Sequence, residues 1–582
     1  RSEPAKARGH DAGRRLVPAL GAVLVTGLLR AAMGMASGDA SPDERSRIDW
    51  RGDLEALVAG VEERHPDPYH SVTREDFRAN SAALAERAAG ASHPRDVVVA
   101  VAELVASVGE THTYLDWPVL GGSGGDSILA SGRYPFRAAR FADGIWVTHA
   151  GAGYEELVGR RVVRLGDRDV ENVLADVAQV TGADNEWTHR FLGPRRLPIV
   201  DLMIALGAAG SDGRLHFTIE DAEGRPAVVS ISPSKGGLGV ELPDRRSAEA
   251  LAASLYWREP ERAYWFEELA AERRLYVQLN RVVDGEEESL DAFARRLDRA
   301  IGELRPERVV VDLRRNIGGN SRLARPVVRA LVRSEAALAR GGIVVLIGPS
   351  TISAATVFAE ELAQLAEVVF VGSPTGSNRN QWGDNVVFEL PSSGLRVSVA
   401  TAFYQTGGPY AVPGPIEPRV FVESSGADYF AVEDPMLRAA WEWSPDPPAA
   451  DVYAAAIERG EDPLVALADF VGAETRRFRD FERELRLLAR RLSEAGDATA
   501  GLGVADLLVE RHPGRARAHM ARGAQLAELG RNAEAEAAWR RGCDLIDADP
   551  SLYPELRRRL RAFATTEIER LAAAVASRAG SS

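Results

Sequence analysis

The sequence predicts an α/β core carrying a helical N-terminal lobe, a β-rich module and an all-α repeat tail. Three observations predict it. Between residues 246 and 440, the runs Leu275-Tyr276-Val277, Val309-Val310-Val311, 343–347 and 368–371 are short and apolar, as in buried strands, and helical patterns separate them. Between 130 and 235, runs such as Ile145-Trp146-Val147-Thr148 and Arg161-Val162-Val163-Arg164-Leu165 lie between Gly and Asp turns. Beyond 450 the chain is rich in Ala, Arg, Glu and Leu, and Leu492, Glu494 and Gly496 recur 34 residues later as Leu526, Glu528 and Gly530.

Bulk properties narrow the function. A chain of 582 residues holds several domains at about 100–200 residues each. With 45% apolar and 27% charged residues it is neither wholly disordered, nor collagen-like, nor a multi-span membrane protein. The net charge of −14 gives no nucleic-acid footprint. Cys543 stands alone, which excludes internal disulfides, thiolate zinc clusters and CxxC redox chemistry. Lys6 and Lys235 are the only lysines.

In chain order, residues 1–40 read as an export signal. Arg14 and Arg15 precede an apolar run over 16–29, and the small residues Ala31, Ala32, Gly34, Ala36 and Ser37 follow. The run is short for a membrane span; an uncleaved anchor or a disordered arm is the alternative to an exported, periplasmic or extracellular protein. Residues 41–125 read as a helical lobe. Leu54, Leu57, Val58 and Val61 mark one helix, Phe77, Leu84 and Ala88 a second, and 97–108 a third. Gly121-Gly122-Ser123-Gly124-Gly125 lacks the Lys-Ser/Thr ending of a phosphate loop and reads as a linker. Residues 126–245 read as mostly β and 246–445 as the α/β core. A Pro-rich break at 444–448 leads into the helical region 446–582. There Arg557-Arg558-Arg559 reads as a solvated helix face.

Two segments of the core could carry chemistry. Val311-Asp312-Leu313-Arg314-Arg315-Asn316-Ile317-Gly318-Gly319-Asn320 runs from an apolar strand into paired glycines, which let backbone N–H groups turn toward an oxyanion. The run 343–347 ends in Gly348-Pro349-Ser350-Thr351-Ile352-Ser353-Ala354-Ala355-Thr356, a strand-to-helix turn. Ser353 near a helix N-terminus sits where the dipole favours developing negative charge, with the Ala354 amide as an oxyanion donor. Ser350, Thr351 and Ser353 are equally helix N-cap candidates.

Together these segments and "VVFVGSPTGSNRNQWGD" resemble the tail-specific, or C-terminal-processing, serine proteases, and more closely their tricorn-like branch. The family signature is a strand ending D-L-R-x-N-x-G-G, a Ser-Ala pair opening a helix, and a G-x-x-T loop. Here these are residues 312–319, Ser353-Ala354 and 372–375. "VGETHTYL", "LPSSGLRVSV" and "EDPMLRAA" also resemble family segments, and the likeness covers roughly residues 50–440. The resemblance implies a crotonase-like core and a PDZ-like module within 126–245. It implies a serine endopeptidase acting on peptides or proteins with no metal or organic cofactor. The tail resembles the tetratricopeptide family at Gly523, Gly530, Ala535 and Trp539, departs from it at His519 and Arg522, and would be a surface for a protein partner.

One branch of the protease family uses a lysine base, at the position of Asn378; no lysine lies in the core, and Arg379 cannot deprotonate. The tricorn-like branch uses a histidine. The resemblance gives that role to His112, with Thr111 as its supporting hydroxyl, Ser353 as nucleophile, and Gly318, Gly319 and Ala354 around the oxyanion. The branch's supporting glutamate is missing: Ala411 stands near its place, Glu417 is the nearest acid, and Asp384 and Asn380 are further candidates. That gap keeps open a degraded peptide- or ligand-binding relative, and a crotonase-type acyl-CoA enzyme would share the core. His65-Pro66-Asp67-Pro68-Tyr69-His70 reads as a rigid turn or a metal cluster, and Trp382 as a cleft wall or a core aromatic.

Overall fold

The computed structural model describes residues 48–117, 132–221, 224–234, 244–409 and 411–579. The segment read as an export signal and the Gly121–Gly125 linker lie outside them. Among the described residues, no helix is long and apolar enough to cross a membrane.

The apolar runs of the core form one six-stranded sheet. Its order is Val420–Phe421, Val368–Gly372, Ile343–Ile347, Arg308–Asp312, Arg274–Leu279, Tyr264–Leu269. All neighbours are parallel except the last pair, an antiparallel hairpin. Both faces are covered, which is why the runs are apolar without alternation. Val309, Val311, Ile343 and Val345 pack with Phe293, Leu297, Leu331 and Phe358 of the helices Leu290–Leu304, Arg325–Val332 and Ala354–Leu365. Val310, Val344 and Leu346 pack with Leu437 and Ala440 of the closing helix Pro435–Glu442. Asp312 lies beside Leu346, so the loops after the two central strands leave the sheet together at its carboxyl edge.

One buried guanidinium holds that edge. Arg314 bonds Asp312 (Nε to Oδ1 3.0 Å) and grips Asp434 through two parallel bonds of 2.8 Å. Asp434 in turn caps the closing helix, accepting the Leu437 N–H at 2.9 Å. Against the penalty of burial, the Arg314 charge and its hydrogen bonds hold the Asp434 carboxyl below the usual carboxylate range.

The helical lobe has helices Trp50–Arg64, Arg74–Ala88 and Pro94–Ala106. It continues into the strand Tyr114–Asp116, which pairs antiparallel with Arg396–Val399, Tyr114 opposite Ser398. The boundary drawn between lobe and core is thus crossed by a sheet. The region 126–245 departs from the mostly-β expectation. It has an antiparallel sheet in the order Phe136–Phe141, Gly144–Ala150, Arg161–Leu165, Leu215–Glu220, Pro226–Ile231. Its described residues also include the helices Val170–Gln179, Glu186–Arg196 and Val200–Ala205. Val170, Val173, Leu174 and Val177 fall at helical spacing and are buried, and Asp169 and Asn185 cap the first two helices. In the tail, Glu482–Glu494 and Ala498–Arg511 are followed 34 residues later by Ala516–Glu528 and Asn532–Leu545. The repeat is therefore a repeated helical hairpin. Gly523 passes so close to the buried Trp539 that a Cβ there would lie 2.4 Å from its indole nitrogen.

Removing one partner of a buried ion pair leaves the other charge stranded. Asp434→Ala is expected to lower unfolding stability by about 3–5 kcal/mol in urea titration of the full chain. A change below about 1 kcal/mol would show that the closing helix is held by packing alone.

Candidate active site

Ser353 is the residue at the turn between the strand Ile343–Ile347 and the helix Ala354–Leu365. Its backbone has φ 57° and ψ −124°, and its hydroxyl makes no cap bond to the helix. A side-chain-bearing residue in this region is held there at a cost of about 1–3 kcal/mol. Specific bonds hold it: the Ser353 N–H donates to Ser377 Oγ at 3.0 Å, and Gln381 Nε2 donates to the Ser353 carbonyl at 3.1 Å. The loop before it is stitched to the neighbouring one. Thr351 Oγ1 donates to the Leu313 carbonyl at 3.1 Å, Ser350 Oγ donates to that of Arg314, and the Ile352 N–H donates to that of Asn316 at 3.1 Å. Ser350 and Thr351 are thus loop fasteners rather than reacting groups.

The paired glycines lie against this turn. Gly318 has φ 115°, and a Cβ on it would fall 2.8 Å from Ser353 Cβ. Gly319 has φ 134°, and a Cβ on it would fall 2.2 Å from the Val282 carbonyl oxygen. Val282 donates to the Gly318 carbonyl at 2.9 Å and accepts from the Asn320 N–H at 2.8 Å. In that parallel bridge the N–H of Gly319 itself turns away from Val282. Gly319 and Ala354 line the cleft that holds Ser353, and neither N–H has an acceptor among the described residues.

His112 lies just before the strand Tyr114–Asp116. Ser398 Oγ donates to its carbonyl at 2.9 Å, and the Ala400 N–H donates to Thr113 Oγ1 at 3.1 Å. These bonds bring His112 Nε2 to 3.1 Å from Ser353 Oγ. Burial pushes the His112 pKa below the ordinary histidine value, and the charges of Asp184 and Asp384 oppose the shift. The ring is therefore a neutral acceptor at neutral pH.

The other expected residues fall as follows. Thr111 touches Asp184 rather than Ser353: its N–H donates to Asp184 Oδ1, and its Oγ1 accepts the Asp184 N–H, both at 3.1 Å. Glu417 is not brought to His112. It is exposed on a loop facing the tail, where its charged neighbours are Arg379, Arg515 and Asp480. Proline and glycine turns at 413–415 carry that loop away from the cleft. Asp384 lies in the cleft wall and accepts the Tyr404 hydroxyl at 2.7 Å. Asn380 bonds only loop backbone at Gly407 and Gly408. Asn378 donates to the Asp184 carbonyl at 3.0 Å. Trp382 lines the cleft, with ring centroids 4.5 Å from His65, 5.3 Å from His70 and 4.7 Å from Phe403. The His65–His70 turn packs on that indole, and no group able to hold a metal ion occurs among the described residues.

Two carboxylates that sequence reasoning did not single out lie beside His112. Glu110 Oε2 is 3.8 Å from His112 Nδ1. Burial, and then the charge of Asp184, push the Glu110 carboxyl up to about 8. Burial also raises Asp184, against the pull of His112 and bonds from Thr111, Ser377 and Asn378. Glu110 belongs to the "VGETHTYL" segment, two residues before the histidine. Asp184 is 72 residues beyond His112, in a stretch read as β-rich, and nothing local marks it.

A hydroxyl facing a neutral imidazole, at a helix N-terminus with two free amides, is an arrangement for nucleophilic acyl transfer. No family model matches the chain, and no curated protein matches it. Solved structures similar to it include mature CPAF complexed with lactacystin, at 12% identity and TM-score 0.45, over 65% of this chain and 94% of that one. The photosystem II D1 C-terminal processing protease is similar at 14% and 0.31, over 64% and 93%. The tricorn protease is similar at 13% and 0.31, over 67% and 36%.

Because Gly318 has no room for a side chain beside Ser353, Gly318→Ala is expected to cut Ser353 reactivity toward a fluorophosphonate by about 100-fold or more. Circular dichroism should show the fold retained. Wild-type reactivity in that variant would mean that the glycine loop does not set the nucleophile's position.

Proposed function

We propose that the chain is a serine endopeptidase that hydrolyses peptide bonds of peptide or protein substrates. The observation that carries the reading is the 3.1 Å approach of His112 Nε2 to Ser353 Oγ at a strained helix N-terminus. Ser353 Oγ attacks the peptide carbonyl carbon while His112 Nε2 takes its proton. The developing oxyanion accepts hydrogen bonds from the Gly319 and Ala354 N–H groups. The imidazolium then gives its proton to the leaving amine, and the C–N bond breaks. Water attacks the resulting ester of Ser353 with His112 again as base, releasing the acid and restoring the hydroxyl.

The sequence resemblance supports peptide as the acyl donor, and Trp382, Tyr404 and Val357 in the cleft wall suit an apolar or aromatic substrate side chain. Thr111 acts by fixing Asp184, and Gly318 by leaving room for Ser353. An exported protein whose helical tail docks a protein partner completes the reading.

The test is labelling of the purified full chain with a fluorophosphonate probe, with Ser353→Ala and His112→Ala alongside. Labelling is expected in wild type, absent in Ser353→Ala, and reduced by about 1,000-fold or more in His112→Ala. Folded wild type that neither labels nor cleaves unstructured peptides would overturn the reading.

A further inference from the structure

Behind His112 lies a buried cluster that the hydrolytic steps above do not use. Glu110 and His65 are 1% and 3% exposed. His112 Nδ1, Glu110 Oε1 and His65 Nε2 are all buried without a hydrogen-bond partner. They face one another in order: Glu110 Oε2 is 3.8 Å from His112 Nδ1, and Glu110 Oε1 is 4.0 Å from His65 Nε2. Three adjacent unpaired buried polar atoms are costly unless they serve one another. Hydrogen bonds among catalytic groups are often long in the free enzyme and tighten when substrate binds.

Proton positions follow from the neighbours. The Asp67 N–H donates to His65 Nδ1 at 3.1 Å, so the neutral His65 ring carries its proton on Nε2, aimed at Glu110. For His112 to accept the Ser353 proton at Nε2, its own proton must be on Nδ1, aimed at Glu110 from the other side. Once ionised, Glu110 therefore faces a donor at each oxygen. Backbone geometry keeps it there, since Oε2 also accepts the His112 N–H and the carboxylate bonds Thr113. No other carboxylate comes within ion-pair distance of His112 among the described residues. The oxygens of Asp184 are taken by the Thr111 and Asn378 N–H groups.

We propose that Glu110 is the positioning acid for His112 and that His65 holds Glu110 in place, making Ser353, His112, Glu110 and His65 one chain from cleft to interior. This rests on the peptidase reading and supplies the supporting acid that Glu417 does not provide. The groups facing the chain are Asp184 and Asp384 toward His112, Asp184 toward Glu110, and His70 and Asp67 toward His65. Burial holds His65 down to about 4, so it is a neutral donor at working pH. Glu110, raised to about 8, is a neutral acid below that pH and a carboxylate above it. As it ionises it stabilises the His112 imidazolium and strengthens the base. The rate of Ser353 acylation should therefore rise twice, once as His112 loses its proton below the ordinary histidine range and again near pH 8.

The experiment is the fluorophosphonate labelling rate of the full chain against pH, for wild type, Glu110→Gln, His65→Leu and His65→Gln, each checked for folding by circular dichroism. Expected are loss of the second rise and a slowing by about 100-fold above pH 8 in Glu110→Gln. His65→Leu is expected to slow labelling by roughly 10-fold, and His65→Gln, which keeps an N–H donor, to recover most of it. A Glu110→Gln variant labelling at the wild-type rate with the wild-type profile overturns the inference while leaving the peptidase reading intact. If that variant does not fold, equal rates for His65→Leu and His65→Gln overturn it. A wild type that does not label sinks the peptidase reading and this inference with it.

Discussion

The arrangement of this protein depends on one buried guanidinium. Arg314 follows the central strand Arg308–Asp312 and is gripped by Asp312 and Asp434, with Tyr256 under its face at 4.3 Å. The two acids come from positions 122 residues apart, so the contact ties the closing helix to the loop that bears Gly318 and Gly319. A buried ion pair seldom stabilises more than a well-packed apolar substitute would. What it provides here is direction: a bidentate fork fixes the loop's exit from the sheet. From Arg314 onward every second residue has a fastener: the Arg314 carbonyl on Ser350, the Asn316 carbonyl on the Ile352 N–H, the Gly318 carbonyl on Val282.

Ser353 shows why so many fasteners are present. Its backbone conformation is unfavourable by itself, and the turn keeps it through Ser377, Gln381 and the crowding of Gly318. The strain has a geometric use. It keeps the hydroxyl out of the capping position, beside the Ala354 amide at the helix start, where the peptide dipoles add. A relaxed N-cap serine would spend its oxygen on the helix backbone and meet no imidazole.

Much of this was legible in the sequence, and the limits are physical. The parallel sheet was legible because strands buried on both faces must be apolar throughout. The tail hairpins were legible because a repeat repeats its turn glycines, Gly496 and Gly530. The helices within 126–245 were not, since short strands and short amphipathic helices share apolar runs and only the caps at Asp169 and Asn185 separate them. Ser353 and His112 were legible through motif likeness, although 241 residues separate them. The carboxylates beside His112 were less legible for a related reason. Distance in sequence suggested Glu417, whereas the tight turn from Glu110 to Thr113 folds a carboxylate back onto its own histidine. Asp184 reaches the site only because Asn185, Thr188 and Asn378 dock its loop on the Gly376 segment, a tertiary event with no local signature.

The cost of that turn bears on what the cluster is for. A carboxyl raised from 4.5 to about 8 binds a proton more tightly in the folded chain than in the unfolded one. Its contribution to stability is fully present below the unfolded value near 4.5 and is lost progressively as pH rises through about 8. The fold therefore loses this contribution between about pH 4.5 and 8, and the loss is complete once Glu110 is a carboxylate. A glutamine at this position would carry no such charge, but its NH2 would have to face one of the donors that flank the Glu110 oxygens. That cost is what the proposed positioning role of Glu110 would have to offset.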